Sequence, residues 1–194
     1  MFSKEILENQ ERIFQVALKE RPFDVREIVQ VWKLEKIVAL VGSRRVGKTF
    51  LSFQILRNLV STGQIEKEDI LYFDFSSLLE KHINLDVLLD DYFTLFPERK
   101  PVCFFDEIQE LENFPAKLIA LKNRGFRILI TGSNAHLLSR ELSTILRGKV
   151  YTKEIFPLDF REFLSFREMV YTKNDSLKNT GKYKKMFLEY LEWG

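Results

Sequence analysis

Residues 37–50 join Ile37-Val-Ala-Leu-Val41, a continuous apolar run, to the glycine-bounded loop Gly42-Ser43-Arg44-Arg45-Val46-Gly47-Lys48-Thr49 and then Phe50. An unbroken apolar run of this length belongs to a strand buried on both faces. Gly42 to Thr49 fits G-x-x-x-x-G-K-[ST], and a helical pattern follows from Lys48 to about residue 62. The chemistry requires that placement. Glycines let backbone N–H groups turn inward around a polyphosphate, and the helix N-terminus adds donors and partial positive charge. Lys48 then reaches the β- and γ-phosphates, and the Thr49 hydroxyl becomes a ligand for Mg2+. Gly42 through Phe50 form the candidate ATP-binding set. For Arg44 and Arg45 two readings stand, positive potential at the nucleotide or plain solvation; the bland reading of the whole loop is a glycine turn with a solvent-facing lysine.

Working outward, similar apolar runs recur at 70–75, 102–106, 127–131 and 150–156, with helical patterns at about 48–62, 77–95, 113–124 and 136–146 between them. Regular alternation of strand and helix argues for right-handed crossovers and a mainly parallel sheet covered on both faces. The expected fold is α/β, a three-layer sandwich with five strands. Upstream, apolar spacing predicts an amphipathic helix over 3–20, capped by Ser3 and ended by Arg21-Pro22, then a short helix over 25–32. Thr172 to Lys185 is polar and turn-rich and reads as a linker, followed by a short helix over 186–193.

Val102-Cys-Phe-Phe-Asp106-Glu107 is an apolar strand ending in two carboxylates. Ligands of open α/β sheets sit at the carboxyl ends of the strands, so Asp106 is placed to hold a water ligand of the Mg2+ bound at Thr49 and belongs with Thr49 to the candidate metal site. Glu107 beside it is placed to orient or deprotonate a water for attack on the γ-phosphate, which favours hydrolysis over transfer. Taken alone, an Asp-Glu pair after a strand is usually a solvated boundary. The next strand ends in Thr131-Gly132-Ser133-Asn134, and with an additional-strand sheet order this polar end sits between the strands of the phosphate loop and of the Asp-Glu pair. Ser133 or Asn134 is a candidate sensor of the γ-phosphate or the water, the alternative for Asn134 being a helix cap. Arg140, Arg147 and Lys149 precede the last strand. They are candidates for a finger acting on a neighbouring subunit's nucleotide, or are a solvated helix end with favoured cations.

Composition narrows the rest. The 194 residues are 45% hydrophobic and 30% charged, which excludes disorder as a whole-chain reading. One cysteine, Cys103, excludes an internal disulfide, and with two histidines it cannot complete a structural zinc site. Cys103 reads as inert core. A net charge of +2 is silent on partners. No apolar stretch approaches a membrane span and the first residues are too polar for a signal peptide, so the expected location is the cytoplasm, with no membrane partner. No N-K-x-D sequence is present to read guanine.

With these residues in place, the chain resembles the prokaryotic predicted ATPases of the AAA+ superfamily that join an N-terminal ATPase domain to a C-terminal region of poorly defined function. The blocks that carry it are VGSRRVGKT (41–49), FFDEIQELENF (104–114), ILITGSNAHLLS (128–139), LRGKVYTKEIFPLDFREFL (146–164) and FLEYLEWG (187–194). PLDFREFL is similar to a family signature, with Asp159 where serine is usual; Asp159 and Glu162 suit a capping-box start, and the segment reads as structural. The family commonly has L-x-G-R before the last strand. Here Arg147-Gly-Lys149 stands instead, which makes Arg147 the better finger candidate. The resemblance implies an ATPase core over 1–168 and, over 169–194, a linker and the start of a helical lid. It also implies that the chain is a truncated member, and that homo-oligomers and nucleic acid are partners by analogy only. The leading expectation is Mg2+-dependent ATP hydrolysis driving a conformational or assembly switch. The alternatives are a binding module with little turnover and, third, a small-molecule kinase.

Overall fold

The computed structural model describes residues 2–76, 83–133, 147–169 and 179–193. Five strands, β1 (Ile37–Val41), β2 (Ile70–Asp74), β3 (Val102–Asp106), β4 (Arg127–Gly132) and β5 (Val150–Glu154), form one parallel sheet in the order β2-β3-β4-β1-β5. The strand carrying the phosphate loop is thus separated from the strand carrying Asp106 by β4, and all the strands pair in parallel register.

Period-two alternation sends successive side chains to opposite faces. Ile37, Ala39, Val41, Phe73, Phe105 and Ile130 enter one core with α4 (Leu85–Leu95) and α5 (Phe114–Asn123). Val38, Leu40, Tyr72, Phe104 and Leu129 enter the other with α2 (Val25–Lys33) and α3 (Lys48–Ser61). This is the expected three-layer sandwich. Cys103 lies fully buried in the first core, and burial pushes its thiol up to about 12.

Helix α1 (Ser3–Gln15) lies along the open edge of β2, sending Ile6 into one core and Ile13 into the other. Gln10 Nε2 donates to the Ile70 carbonyl at 2.6 Å and Asn9 Nδ2 to the Tyr72 carbonyl at 3.4 Å. Side-chain amides thereby occupy acceptors that an edge strand otherwise offers to a passing chain. At the other edge, Tyr151 and Lys153 of β5 both donate to Glu27 of α2.

Several boundaries differ from the expectation. Helix α1 stops at Gln15 rather than residue 20, because the Arg57 guanidinium takes the carbonyls of Ile13 and Val16 and the chain turns extended at Val16. Ser3 is inside the helix; Phe2 holds the cap position without a side-chain bond. Strands β2 and β5 end at Asp74 and Glu154, earlier than expected, and the described part of the 77–95 helix begins at Leu85. The 136–146 helix lies outside the described residues. The polar stretch ending at Lys185 is not wholly linker: α7 (Thr180–Trp193) starts within it. Its Tyr190 packs on Phe160 and Phe163 of α6 (Phe160–Phe166), both at 5.5 Å between ring centroids, and Tyr190 Oη donates to the Leu158 carbonyl at 2.9 Å. These tertiary contacts stabilise a helix whose own sequence is turn-rich. No helix of the described residues is long and apolar enough to cross a membrane.

Candidate functional site

The loop from Gly42 to Gly47 connects β1 to α3 at the carboxyl edge of the sheet. Gly47 has φ +90°, a conformation that glycine adopts without strain and that starts α3 directly. Gly42 is fixed for a different reason: a Cβ there would stand 2.3 Å from the carbonyl oxygen of Ile155. Ser43, Arg44 and Arg45 are exposed and Val46 is buried. Lys48 is 5% exposed, and its ammonium donates to the loop carbonyls of Gly42 at 3.2 Å and Ser43 at 2.9 Å. Burial lowers its pKa, opposed by the charges of Glu107 and Asp106.

Thr49 Oγ1 donates to Asp106 Oδ2 at 2.7 Å, bringing the first turn of α3 against the end of β3 across the intervening strand. Thr131 at the end of β4 donates to the other Asp106 oxygen and accepts from the Glu107 N–H at 3.1 Å. Asp106 is 3% exposed. Its pKa is pushed up to about 6 by burial, helped by the Asp74 and Glu107 charges and opposed by the two threonine bonds. A carboxylate and a hydroxyl, both hard oxygen donors, suit Mg2+, which takes one or two protein ligands and completes its shell with substrate phosphates and water.

Glu107 sits in the left-handed region, φ +50°, unusual for a residue with a side chain. Its Oε2 accepts from Gln109 Nε2 at 2.6 Å, from the Ser133 N–H at 3.1 Å and from the Ser133 hydroxyl. A cleft of about 420 Å³ opens in front, lined by Arg44, Arg45, Ser76, Glu107, Glu110 and Ser133. A second cavity of about 310 Å³ lies on the other side of Gly47, with Ala17, Val46, Phe50, Leu51, Leu158 and Phe166 on its apolar walls.

The structure therefore brings together Lys48, Thr49, Asp106, Glu107 and Ser133, and sets Arg44 and Arg45 at the cleft wall. Asn134 and Arg140 lie outside the described residues. Arg147 is exposed in the turn before β5, at the amino edge of the sheet. One strand length, about 16 Å, separates that edge from the loop, so Arg147 does not join the site of its own chain. Two participants, Gln109 and Arg21, escaped the sequence reading. Thr131, from the expected polar end of β4, bonds Asp106, while Gln109 is an ordinary polar residue until the turn after β3 sets it beside Glu107. Arg21, read only as a helix terminator, donates from Nη1 to the Val46 and Phe156 carbonyls, each at 3.1 Å, and forms a two-bond ion pair with Glu162. Glu162 also closes the capping box of α6 with Asp159, as its position suggests.

A strand order that inserts β4 between the phosphate-loop strand and the Asp-Glu strand, with the loop threonine bonded to that aspartate, defines a P-loop nucleotide-binding domain of the additional-strand type. The chain belongs to the AAA domain family, whose model matches residues 34–164. It is 33% identical, over its whole length, to an uncharacterized protein of Methanocaldococcus jannaschii, covering 42% of that protein. It is 35% identical over 155 residues, 76% of the chain, to an uncharacterized protein of Haemophilus influenzae, covering 38% of it. The chain thus spans about two-fifths of the length of these curated relatives. Among solved structures, C. elegans PCH-2 superposes with a TM-score of 0.52 at 18% identity, over 77% of this chain and 48% of that one, a likeness of fold.

Proposed function

We propose that the chain binds ATP with Mg2+ and hydrolyses it, and that the cycle drives a conformational or assembly switch. The observation that carries the reading is the 2.7 Å bond between Thr49 and Asp106, with the Lys48 ammonium resting on loop carbonyls beside it. In this reading the triphosphate crosses Gly47, the Lys48 ammonium exchanges its carbonyl partners for phosphate oxygens, and the base enters the apolar cavity behind Phe50. Thr49 and Asp106 would hold Mg2+, which when bound neutralises charge on the β- and γ-phosphates. Glu107 takes a proton from water as its oxygen attacks the γ-phosphorus in line. The bond to the β–γ bridging oxygen breaks, and ADP and phosphate leave. Ser133 orients Glu107. Arg147, at the opposite edge of the sheet, acts on the nucleotide of a second copy.

Phosphate release from ATP is the test. Glu107→Gln should lower the rate about 10²- to 10⁴-fold with nucleotide binding retained. A wild-type protein that released no phosphate, with Glu107→Gln indistinguishable from it, would contradict hydrolysis. A second reading, a nucleotide-dependent binding module with negligible turnover, draws support from the three donors on Glu107 Oε2, which leave that oxygen no free site for water. Measurable ATP affinity with no turnover at any protein concentration would favour it.

A further inference from the structure

The edge of the sheet opposite the nucleotide site has its own chemistry. The strands start flush there, Val102 beside Arg127 and Ile37 beside Val150, so the residues ahead of each strand are delivered to one surface. Ahead of four of the five strands these residues are basic: Lys100 before β3, Lys122 in the last turn of α5 before β4, Lys36 before β1 and Lys149 before β5, with Arg127 opening β4 itself; only β2, at the end of the sheet, is preceded by acids, Glu68 and Asp69. The net charge is only +2, so the concentration at this edge comes from strand order as well as from the basic stretch 122–127.

At its centre is a cleft of about 410 Å³, with Lys36, Lys122 and Arg127 on its walls beside Trp32 and Phe126. The Arg127 guanidinium lies 5.8 Å from the Trp32 ring; Lys100 and Arg124 lie over Phe126 at 5.8 and 5.2 Å. Arg124 is paired with Asp86 at 2.8 Å, whereas Lys36, Lys122 and Arg127 have no ion-pair partner among the described residues. Glu35 is the single carboxylate on the cleft wall. Burial lowers the pKa of Arg127, offset only by the charge of Asp69. Three cations held around one opening, well within a Debye length, repel one another until an anion joins them.

We propose that this amino edge, centred on the Lys36, Lys122 and Arg127 cleft, binds the phosphodiester backbone of a single nucleic-acid strand. Width selects the ligand. From β3 to β5 the cations span three inter-strand spacings, about 14 Å, more than one phosphate needs and suited to successive phosphates of a chain. Trp32, 8% exposed with its Nε1 donating to the Ile128 carbonyl, and the half-buried Phe126 back these cations from beneath and hold them toward the opening. The proposal is independent of the nucleotide site, which lies on the opposite edge.

The test is fluorescence anisotropy of a labelled oligodeoxythymidylate of about 20 nucleotides at low salt, without ATP, on the full chain. Lys36→Glu combined with Lys122→Glu should weaken binding at least about tenfold and flatten the salt dependence by roughly 1.4 in log–log slope, with ATP affinity unchanged. The charge-matched Lys184→Glu with Lys185→Glu on α7 should leave binding within about twofold. On wild-type protein, the oligonucleotide should protect Lys36 and Lys122 from acetylation. No binding at low salt overturns the proposal, as does equal loss in the control pair or absent protection. Inorganic polyphosphate binding as tightly, with the same sensitivity to the variants, overturns the assignment to nucleic acid.

Discussion

Arg21 and Glu162 lie 141 residues apart and meet in a two-bond ion pair, 3.0 Å from Nε and 2.9 Å from Nη2, while the same guanidinium holds the Val46 carbonyl of the phosphate loop. Both side chains are mostly shielded, at 15% and 14% exposed. The pair ties the segment after α1, the loop and the start of α6 into one unit. Since α6 carries the aromatic contacts of α7, a change of loop position has a direct mechanical route to the C-terminal helix.

Removing either partner leaves the other shielded and unpaired. Arg21→Ala or Glu162→Gln should lower stability by about 1–3 kcal/mol in thermal or urea unfolding and weaken ATP binding. Arg21→Lys should recover only part of both, because one ammonium cannot reproduce the planar fork.

Edge protection by α1 gives a separate outcome. Gln10→Ala strips the Ile70 carbonyl of its donor and should cost about 1–2 kcal/mol in urea unfolding. It should also raise concentration-dependent self-association in sedimentation, since the β2 edge then offers an open acceptor.

Asp106 makes stability depend on pH with a sign opposite to that of most carboxylates. Its pKa is raised by burial to about 6 from an ordinary 3.8, so the folded state binds the proton more tightly than the unfolded state. The metal-free protein therefore keeps this contribution below about pH 4 and loses it as pH rises through about 6. Asp106→Asn should be more stable than wild type at pH 7 by about 1–3 kcal/mol and equal to it near pH 4, measured in the presence of a chelator.

Cys103 should resist thiol reagents in the native protein and react only on unfolding, because its buried thiol is pushed up to about 12. Reaction with an aromatic disulfide reagent, followed with and without denaturant, checks this.

The sheet and the phosphate loop were legible because both depend on local pattern: apolar runs for strands, glycine spacing for the loop. Lys48, Thr49, Asp106 and Glu107 followed from residues that stand at the ends of such runs. The polar end of β4, Thr131 included, followed the same way. Gln109 was not legible, since its partner Glu107 has an uncommon left-handed backbone, nor was Arg21, whose partner Glu162 lies 141 residues away. The end of α1 was misplaced for the same reason. Arg57 terminates that helix from a distant part of the chain, and no residue near Gln15 announces it. The basic amino edge is the clearest case, assembled by strand order from cations in four separate segments of the chain.

Calorimetric titration of ATP bears most directly on whether the phosphate loop and the end of β3 act on one magnesium-bound triphosphate. Binding with Mg2+ should be measurable in the micromolar range, and chelator or Thr49→Ala should weaken it at least about tenfold. Lys48→Ala should abolish it. Affinity that is unmoved by chelator and by both variants, or no heat of binding at all, would contradict the account.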